Sequence, residues 1–169
     1  MTEVRFRHAE PADYRPIICV INDWWGGRQM AAMLPKLFFV HFRPTSFAAE
    51  HDGNIVGFLI GFVSQTSPDE AYLHFVGVHP AWRARGLGRA LYERFFTKVA
   101  ALGCHSVRCA TSPVNIGSIA FHRRMGFAIE DSERRAGDVP VAVDYDGPSE
   151  DRVLFCKSLD PESPCGHEA

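Results

Sequence analysis

The 169-residue sequence lacks the features that define several large classes of protein. No stretch approaches the roughly 18 consecutive apolar residues of a membrane helix, and no apolar run follows a basic N-terminal region. The five cysteines are odd in number and form no C-x-x-C pair, which supports neither a disulfide framework nor a zinc site. A formal net charge of −2 gives no sign of general affinity for nucleic acid. We therefore expect a cytoplasmic protein with no metal and with neither a membrane nor a nucleic acid as partner.

What the sequence does have is an ordinary globular composition, with 46% hydrophobic and 22% charged residues. The length fits one domain with a sizeable core, and no linker or internal repeat divides it. We assign residues 1–159 to this domain. Residues 160–169 read DPESPCGHEA and are expected to form a disordered tail.

Hydrophobic periodicity predicts strands and helices in a mixed order. Alternating or wholly apolar runs predict strands at 4–7, 47–50, 55–64, 71–78, 106–110, 127–129 and 152–159. Helical spacing predicts helices at 14–23, 29–42, 86–102 and 115–125, and Pro35 must kink or split the second of them. The segment 136–150 is rich in Gly, Pro and Asp and is predicted to be a loop. This order favours an α/β fold, in which helices flank a mixed central sheet.

The most informative stretch is Val76–Phe95, which reads VGVHPAWRARGLGRALYERF. A strand, a glycine-bearing turn and a helix N-terminus follow one another, and Arg83, Gly86 and Gly88 form the pattern R-x-x-G-x-G. The first turn of a helix leaves N–H groups unpaired at the positive end of the helix dipole. Glycine lets a phosphate approach those groups. The segment therefore predicts an anionic, phosphorylated ligand, although an ordinary strand-to-helix turn has the same local pattern.

Together with a second element, Asn115–Phe127 (NIGSIAFHRRMGF), this stretch resembles the GNAT superfamily of N-acetyltransferases. The first element is similar to the family's acetyl-CoA motif, [RQ]-x-x-G-x-[GA]. The second is similar to the family's asparagine, short helix and G-F that opens a strand. The resemblance spans Val4–Leu159 and implies a mixed, mostly antiparallel central sheet of about seven strands, flanked by about four helices and splayed between strands 4 and 5. It also implies acetyl-CoA as co-substrate and a homodimer.

The resemblance places the acetyl-CoA site on the fourth strand, the turn after it and the later short helix. The strand backbone would hold the pantetheine arm and the thioester oxyanion, and the turn would hold the pyrophosphate. The residues assigned in this way are Val76, Gly77, Val78, Arg83, Ala84, Arg85, Gly86, Leu87, Gly88, Arg89, Ala90, Asn115, Ser118 and Phe121.

The candidate general base lies on the fourth strand, where Glu70, Tyr72, His74 and Val76 share one face by the strand period of two. The resemblance implies that an acid or a histidine on this face deprotonates the acceptor amine, and Tyr72 and His74 occupy the corresponding positions. His74 titrates near neutrality and suits the role, with Glu70 as second choice. The alternative for His74 is a half-buried strand histidine that only bonds a neighbouring carbonyl.

The candidate general acid departs from the family pattern. The family usually places a tyrosine on the short helix, where it protonates the departing CoA sulfur, whereas this sequence has His122 at the matching position. Arg123 and Arg124 are expected to lower the pKa of His122. Either His122 takes over the acid role, or the proton comes from solvent and His122 is structural. Asn115 is expected to cap the helix and, by resemblance, to bond the cofactor arm.

The acceptor pocket is predicted from two segments. WWGGR lies where the family places its substrate-gating helices, so Trp24 and Trp25 could wall a pocket and Arg28 could bind a carboxylate. The alternative there is core packing and a glycine turn. Tyr145 and the carboxylates near it could bind a cationic amine, or they could form a solvated acidic loop.

These features together predict an acetyl-CoA-dependent N-acetyltransferase that moves an acetyl group to a primary amine by direct attack. No cysteine has a context that would activate it as a nucleophile, which argues against a covalent acyl-enzyme. A small-molecule amine is the expected acceptor. A protein or peptide N-acetyltransferase and a non-catalytic acyl-CoA-binding sensor are the alternatives.

Overall fold

A computed structural model describes residues 3–160 and 165. The chain folds as two compact units. The first contains the residues up to Val63 together with Leu73–Leu102, and the second contains Ser64–Tyr72 and the chain from Gly103 onward. Most of the predicted disordered tail, residues 161–164 and 166–169, lies outside the described residues.

The helices and strands follow the predicted order closely. The strands are β1 (Arg5–His8), β2 (Phe47–His51), β3 (Asn54–Val63), β4 (Glu70–Val78), β5 (Ser106–Thr111), β6 (Ala128–Ile129), β7 (Arg135–Ala136), β8 (Val139–Pro140) and β9 (Val153–Ser158). The α-helices are α1 (Tyr14–Ile18), α2 (Ile21–Trp24), α3 (Leu37–His41), α4 (Leu87–Ala101) and α5 (Ile116–Arg124). Short 3-10 helices cover Pro11–Asp13, Ala31–Met33, Arg43–Thr45 and Pro80–Trp82. Within the described residues, no helix has the length and apolar character needed to cross a membrane.

Seven of the strands form one sheet in the order β1-β2-β3-β4-β5-β9-β6. Strands β4 and β5 pair in parallel. The pairs β1–β2, β2–β3, β5–β9 and β9–β6 are antiparallel. This confirms the predicted mixed, mostly antiparallel sheet.

The core of the first unit depends on the apolar faces of its helices. The predicted stripe on α4 is buried as expected and consists of Leu87, Leu91, Phe95 and Val99. The predicted helix at 29–42 is split, because Pro35 separates the 3-10 turn Ala31–Met33 from α3. The predicted helix at 14–23 is also divided, into α1 and α2, and neither Gly nor Pro lies at the break to signal it.

The late segment of the second unit contains structure that the sequence did not predict. Strands β7 and β8 form a hairpin around Gly137 and Asp138, and Arg135 Nη1 donates a hydrogen bond to the Asp138 carbonyl at 2.8 Å. The prediction of a plain loop over 136–150 was therefore wrong at its start. The sequence carries a Gly-Asp turn signal there, but strands of two residues are too short for an alternating pattern.

The cysteines were predicted correctly in one respect and incompletely in another. Cys104 and Cys109 are buried in the second unit, as expected for small core residues. Cys156 and Cys165 form a disulfide, which the sequence reasoning did not predict. Their Cα atoms lie 6.2 Å apart, within the usual range for a disulfide. An odd cysteine count excludes complete pairing but does not exclude one bond.

Candidate active site

Strand β4 forms the framework of the candidate site. Its residues alternate between half-buried and buried, which confirms that Glu70, Tyr72 and His74 share a face with Val76 and Val78. The parallel register with β5 covers only the first three residues of β4, paired with Ser106–Arg108. A register this short agrees with the splay between strands 4 and 5 that the family resemblance implied.

Gly77, on the opposite face of β4, has no room for a side chain. An added Cβ would lie 2.8 Å from Phe58 Cζ and 3.0 Å from Trp25 Cη2. Two aromatic rings therefore pack directly on the strand backbone beside Val76 and Val78. This packing fixes the position of the backbone groups that the sequence assigned to the pantetheine arm.

The segment 79–86, which we call the phosphate turn, joins β4 to α4. The His79 imidazole accepts a hydrogen bond from the Ala81 N–H at 3.1 Å and caps the 3-10 turn that follows. Ala84 and Gly86 then adopt left-handed conformations, with φ of 59° and 80°. Left-handed residues before a helix turn successive N–H groups towards one concavity, and α4 begins directly after Gly86. The turn can therefore bind an anion through its backbone.

The three arginines of the turn and of the start of α4 have their side chains engaged within the protein. Arg83 Nε donates to the Val78 carbonyl at 3.2 Å, and Arg83 Nη2 donates to the Trp24 carbonyl. The Arg85 guanidinium lies 5.2 Å from the ring centre of Trp82. Arg89 pairs with Glu93 on the surface of α4, at 2.7 Å.

His74 makes the contact that the alternative interpretation described. Its Nε2 lies 2.7 Å from the Met33 carbonyl, and its ring stacks on Phe38 with ring centres 4.2 Å apart. Because a carbonyl can only accept, Nε2 carries the proton and Nδ1 carries the lone pair in the neutral form. These contacts hold the side chain in one tautomer against Met33 and Phe38. Its role as a base stays a prediction.

Glu70 and Tyr72, the other candidates on this face, have partners in the second unit. Glu70 forms an ion pair with Arg108, which also pairs with Glu130. Burial, followed by the neighbouring Tyr145, raises the pKa of Tyr72 well above its usual range. Tyr72 therefore keeps its hydroxyl proton, and the Glu70 carboxylate is engaged in its ion pair with Arg108.

His122 is buried, with 6% of its surface exposed. Its ring stacks on Phe155 at 4.8 Å between ring centres, and Nδ1 donates to the Ser118 carbonyl at 2.8 Å. Burial lowers the pKa of His122, against the opposing effect of the Ser118 hydrogen bond. The direction agrees with the sequence prediction, but the assigned cause was wrong, since Arg123 and Arg124 are exposed and burial acts instead.

The start of α5 is built as predicted. Asn115 caps the helix, and its Oδ1 accepts a hydrogen bond from the Ser118 N–H at 3.2 Å. Ser118 Oγ lies 3.2 Å from His122 Nδ1, which ties the first turn of the helix to its last. Phe121 is half-buried on the same helix.

The structure shows how the WWGGR segment packs, and its proposed part in an acceptor pocket stays a prediction. Trp24 is buried against Phe58, with ring centres 6.1 Å apart. Trp25 is half-buried and lies 5.2 Å from Phe75. Gly26 and Gly27 both have positive φ and form the turn, and the side chain of Arg28 is exposed.

Asn22 is a residue that sequence reasoning missed. Its side-chain oxygen accepts hydrogen bonds from the N–H groups of Met30 and Ala31, at 2.8 and 3.1 Å. It thereby closes residues 24–33, which we call the front loop, into one compact turn. Asn near a Gly-Gly pair is a turn signal, but its partners eight and nine residues away cannot be identified from spacing.

The acidic loop around Tyr145 uses its carboxylates internally. Asp146 and Glu150 pair with Arg152 at 2.6 and 2.9 Å, and Asp144 Oδ1 accepts from the Ser149 N–H at 2.6 Å. Tyr145 is 48% exposed. Within residues 3–160 and 165, no group of three or more His, Cys, Asp or Glu side chains is placed to bind a metal ion.

Part of the chain is similar in sequence to named acetyltransferases. An L-2,4-diaminobutyric acid acetyltransferase of Nocardia farcinica is 40% identical over 79 residues, which are 47% of this chain and 41% of that protein. The corresponding protein of Halomonas elongata is 29% identical over 115 residues, covering 62% and 60% of the two chains. The matches thus span less than two thirds of the length of these relatives.

Two solved structures illustrate the shared fold. A diaminobutyrate acetyltransferase from Paenibacillus lautus, in complex with L-2,4-diaminobutyric acid and coenzyme A, superposes with a TM-score of 0.70 at 24% identity, covering 98% of this chain and all of that one. The ribosomal-protein-S18-alanine N-acetyltransferase of Escherichia coli gives a TM-score of 0.66 at 20% identity, with 99% of both chains covered. The family model for acetyltransferases of the GNAT family matches residues 9–127, more than half of the chain. The protein therefore belongs to the acetyltransferase (GNAT) family.

Proposed function

We propose that this protein transfers the acetyl group of acetyl-CoA to a primary amine of a small molecule, by direct attack of the amine on the thioester. The observation that carries the proposal is the phosphate turn, where left-handed Ala84 and Gly86 lead into α4 inside the part of the chain that matches the family. Its backbone N–H groups suit the pyrophosphate of CoA. We further propose that residues 1–159 act as one catalytic domain.

The proposed chemistry assigns each step to a group on or near β4. The Val76 N–H stabilises the oxyanion that forms when the amine attacks the thioester carbonyl. His74 removes a proton from the attacking ammonium group, directly or through a water molecule, with Nδ1 as acceptor because Nε2 is bonded to Met33. The family's sulfur-protonating tyrosine is replaced by a buried His122 whose pKa is lowered. Solvent is therefore our proposed proton source for the departing thiolate.

A covalent acetyl-cysteine is not part of this mechanism. Burial raises the pKa of both Cys104 and Cys109, so their thiols stay protonated and poorly nucleophilic. Direct transfer of the acetyl group from CoA to the amine within a ternary complex requires no cysteine nucleophile.

A small diamine or amino acid is the acceptor that we favour. The relatives and one structural neighbour are named for a small diamino acid, L-2,4-diaminobutyric acid. The exposed Arg28 on the front loop offers a guanidinium to a carboxylate on such an acceptor. The second candidate is a protein N-terminus, which the likeness to a ribosomal-protein acetyltransferase favours.

The decisive experiment measures CoA thiol release from acetyl-CoA over a panel of diamines, amino acids, polyamines and peptides. Turnover with a small amine, and none with peptides, is the expected result. Peptide-dependent turnover alone would favour the second candidate. Tight acetyl-CoA binding by calorimetry with no turnover on any amine would favour a sensor.

Cellular location and assembly belong to the same proposal. We propose a cytoplasmic homodimer; the family resemblance supports the dimer. Sedimentation equilibrium of the full chain tests the dimer, and fractionation of the source cells tests the location.

A further inference from the structure

We infer that Arg83 is a positioning residue whose guanidinium joins the phosphate turn to the front loop, and that it is not a ligand of the CoA phosphates. The inference rests on the proposed acetyl transfer. It adds a link between the phosphate turn and the front loop, both in the first unit. In the sequence, Arg83 is the first residue of the R-x-x-G-x-G pattern, where its charge alone suggests phosphate binding.

The side chain of Arg83 bonds the last residue of a strand and the last residue of a helix. Nε donates to the carbonyl of Val78, which ends β4, and Nη2 donates to the carbonyl of Trp24, which ends α2. The planar guanidinium presents these N–H groups in a fixed geometry, so one side chain sets both distances together. The link to Trp24 spans 59 residues of sequence.

The segment bonded in this way is cross-linked by several hydrogen bonds. Asn22 closes the front loop by accepting from Met30 and Ala31, and His74 contacts the Met33 carbonyl at the far end of the same loop. Two side chains thus bond the ends of the front loop. Arg83, of the phosphate turn, bonds Trp24 at its start, and His74, of β4, bonds Met33 at its end. Trp24 packs on Phe58, one of the two rings that lie against Gly77, so a shift of Trp24 would disturb the packing behind the β4 backbone.

The phosphates do not require the Arg83 charge. The concavity formed by left-handed Ala84 and Gly86 presents backbone N–H groups at the start of α4. Arg85 is exposed on the phosphate turn and adds positive charge at longer range, whereas Arg89 lies on α4 and is paired with Glu93. The Arg83 side chain can therefore bond the carbonyls of Val78 and Trp24 while the backbone N–H groups of the phosphate turn bind the anion.

Two substitutions separate the alternatives. In Arg83→Gln, the amide nitrogen takes the place of Nε and keeps the bond to Val78, but the side chain is too short to reach Trp24. Arg83→Lys keeps the charge but has only one nitrogen.

We expect Arg83→Gln to bind acetyl-CoA within about twofold of wild type while the KM for the amine rises roughly tenfold, the effect of one lost charge-assisted hydrogen bond. Arg83→Lys should also show a raised amine KM. Arg134→Gln, at an exposed position outside the site, is the matched control.

Tryptophan fluorescence tests the same inference without any turnover. The chain has three tryptophans, Trp24, Trp25 and Trp82, and all lie in the two segments that Arg83 joins. Acrylamide should quench this fluorescence more strongly in Arg83→Gln than in wild type or in Arg134→Gln. This readout and calorimetric acetyl-CoA binding remain informative if no amine is acetylated, so failure of the inference is distinguishable from failure of the proposed function.

The opposite pattern would overturn the inference. If the Arg83 side chain bound the CoA phosphates, Arg83→Gln would lose acetyl-CoA affinity and part of the salt dependence of that affinity. Arg83→Lys would retain both. An unchanged amine KM with unchanged quenching in Arg83→Gln would also refute the link between the two segments.

Discussion

At the scale of the residue, Gly77 shows how tightly the proposed pantetheine strand is packed. The rings of Phe58 and Trp25 occupy the volume that a side chain would need, and they belong to β3 and to the front loop. The position is therefore constrained by space, with no left-handed backbone involved.

We predict that Gly77→Ala lowers the free energy of unfolding by about 1–3 kcal/mol, because the added methyl group overpacks the core. It should also reduce acetyl transfer, since the rings must move away from β4. Urea unfolding and steady-state kinetics measure the two effects. Gly117→Ala is the control, because nothing lies within 4 Å of its added Cβ and the residue is inside a helix. Equal stability of the two variants would contradict the packing argument.

His122 carries a prediction about pH. Burial lowers its folded-state pKa below the ordinary value of 6.5, so the unfolded chain binds this proton more readily. The contribution to stability is therefore fully present above about pH 6.5 and is lost as the pH falls through the lowered folded-state pKa.

We predict that His122→Phe, which preserves a ring against Phe155, lacks this component of the pH dependence. Its unfolding free energy should fall less than that of wild type between pH 7 and pH 5, measured by urea titration at both values. His105→Gln, at an exposed histidine, should follow wild type. A thiol-release rate for His122→Phe that equals wild type would support solvent as the proton source, whereas a large loss would restore His122 as the acid.

At the scale of the element, the sequence predicted what local periodicity determines. The α4 stripe, the split at Pro35 and the cap at Asn115 each depend on residues within a few positions of one another. The side-chain partners of Arg83 and His74 could not be predicted, because Trp24 and Met33 lie 59 and 41 residues away and are brought close only by folding. The burial of His122 depends in the same way on Phe155 from a distant strand.

The phosphate turn carries a prediction that compares two left-handed positions. Gly86→Ala places a side chain at φ 80° and should cost about 1–2 kcal/mol of stability, and it should raise the KM for acetyl-CoA because the N–H groups shift. Ala84→Gly removes a similar strain at φ 59° and should not destabilise the protein. Thermal unfolding and acetyl-CoA titration check both. A destabilised Gly86→Ala with unchanged acetyl-CoA affinity would show that the turn does not bind the phosphates.

At the scale of the whole molecule, a disulfide bonds Cys165 to strand β9. Cys156 is a buried residue of β9, and its disulfide with Cys165 closes a loop across 9 residues. The sequence indicated a free tail because its composition is polar and its cysteine has no nearby partner in a recognised spacing. Pairing with a strand residue depends on tertiary structure, which composition does not determine.

We predict that Cys165→Ser lowers the free energy of unfolding by at most about 2.5 kcal/mol, because a cross-link over so short a loop restrains little of the unfolded chain. A reducing agent should lower wild-type stability by the same amount and leave Cys165→Ser unchanged. Cys156→Ser should cost more than Cys165→Ser, since it also places a hydroxyl at a position that is only 4% exposed. Chemical unfolding with and without reductant measures all three, and thiol labelling followed by mass spectrometry identifies the bonded pair. Labelling of both cysteines in the untreated, unfolded protein would show that the bond does not form.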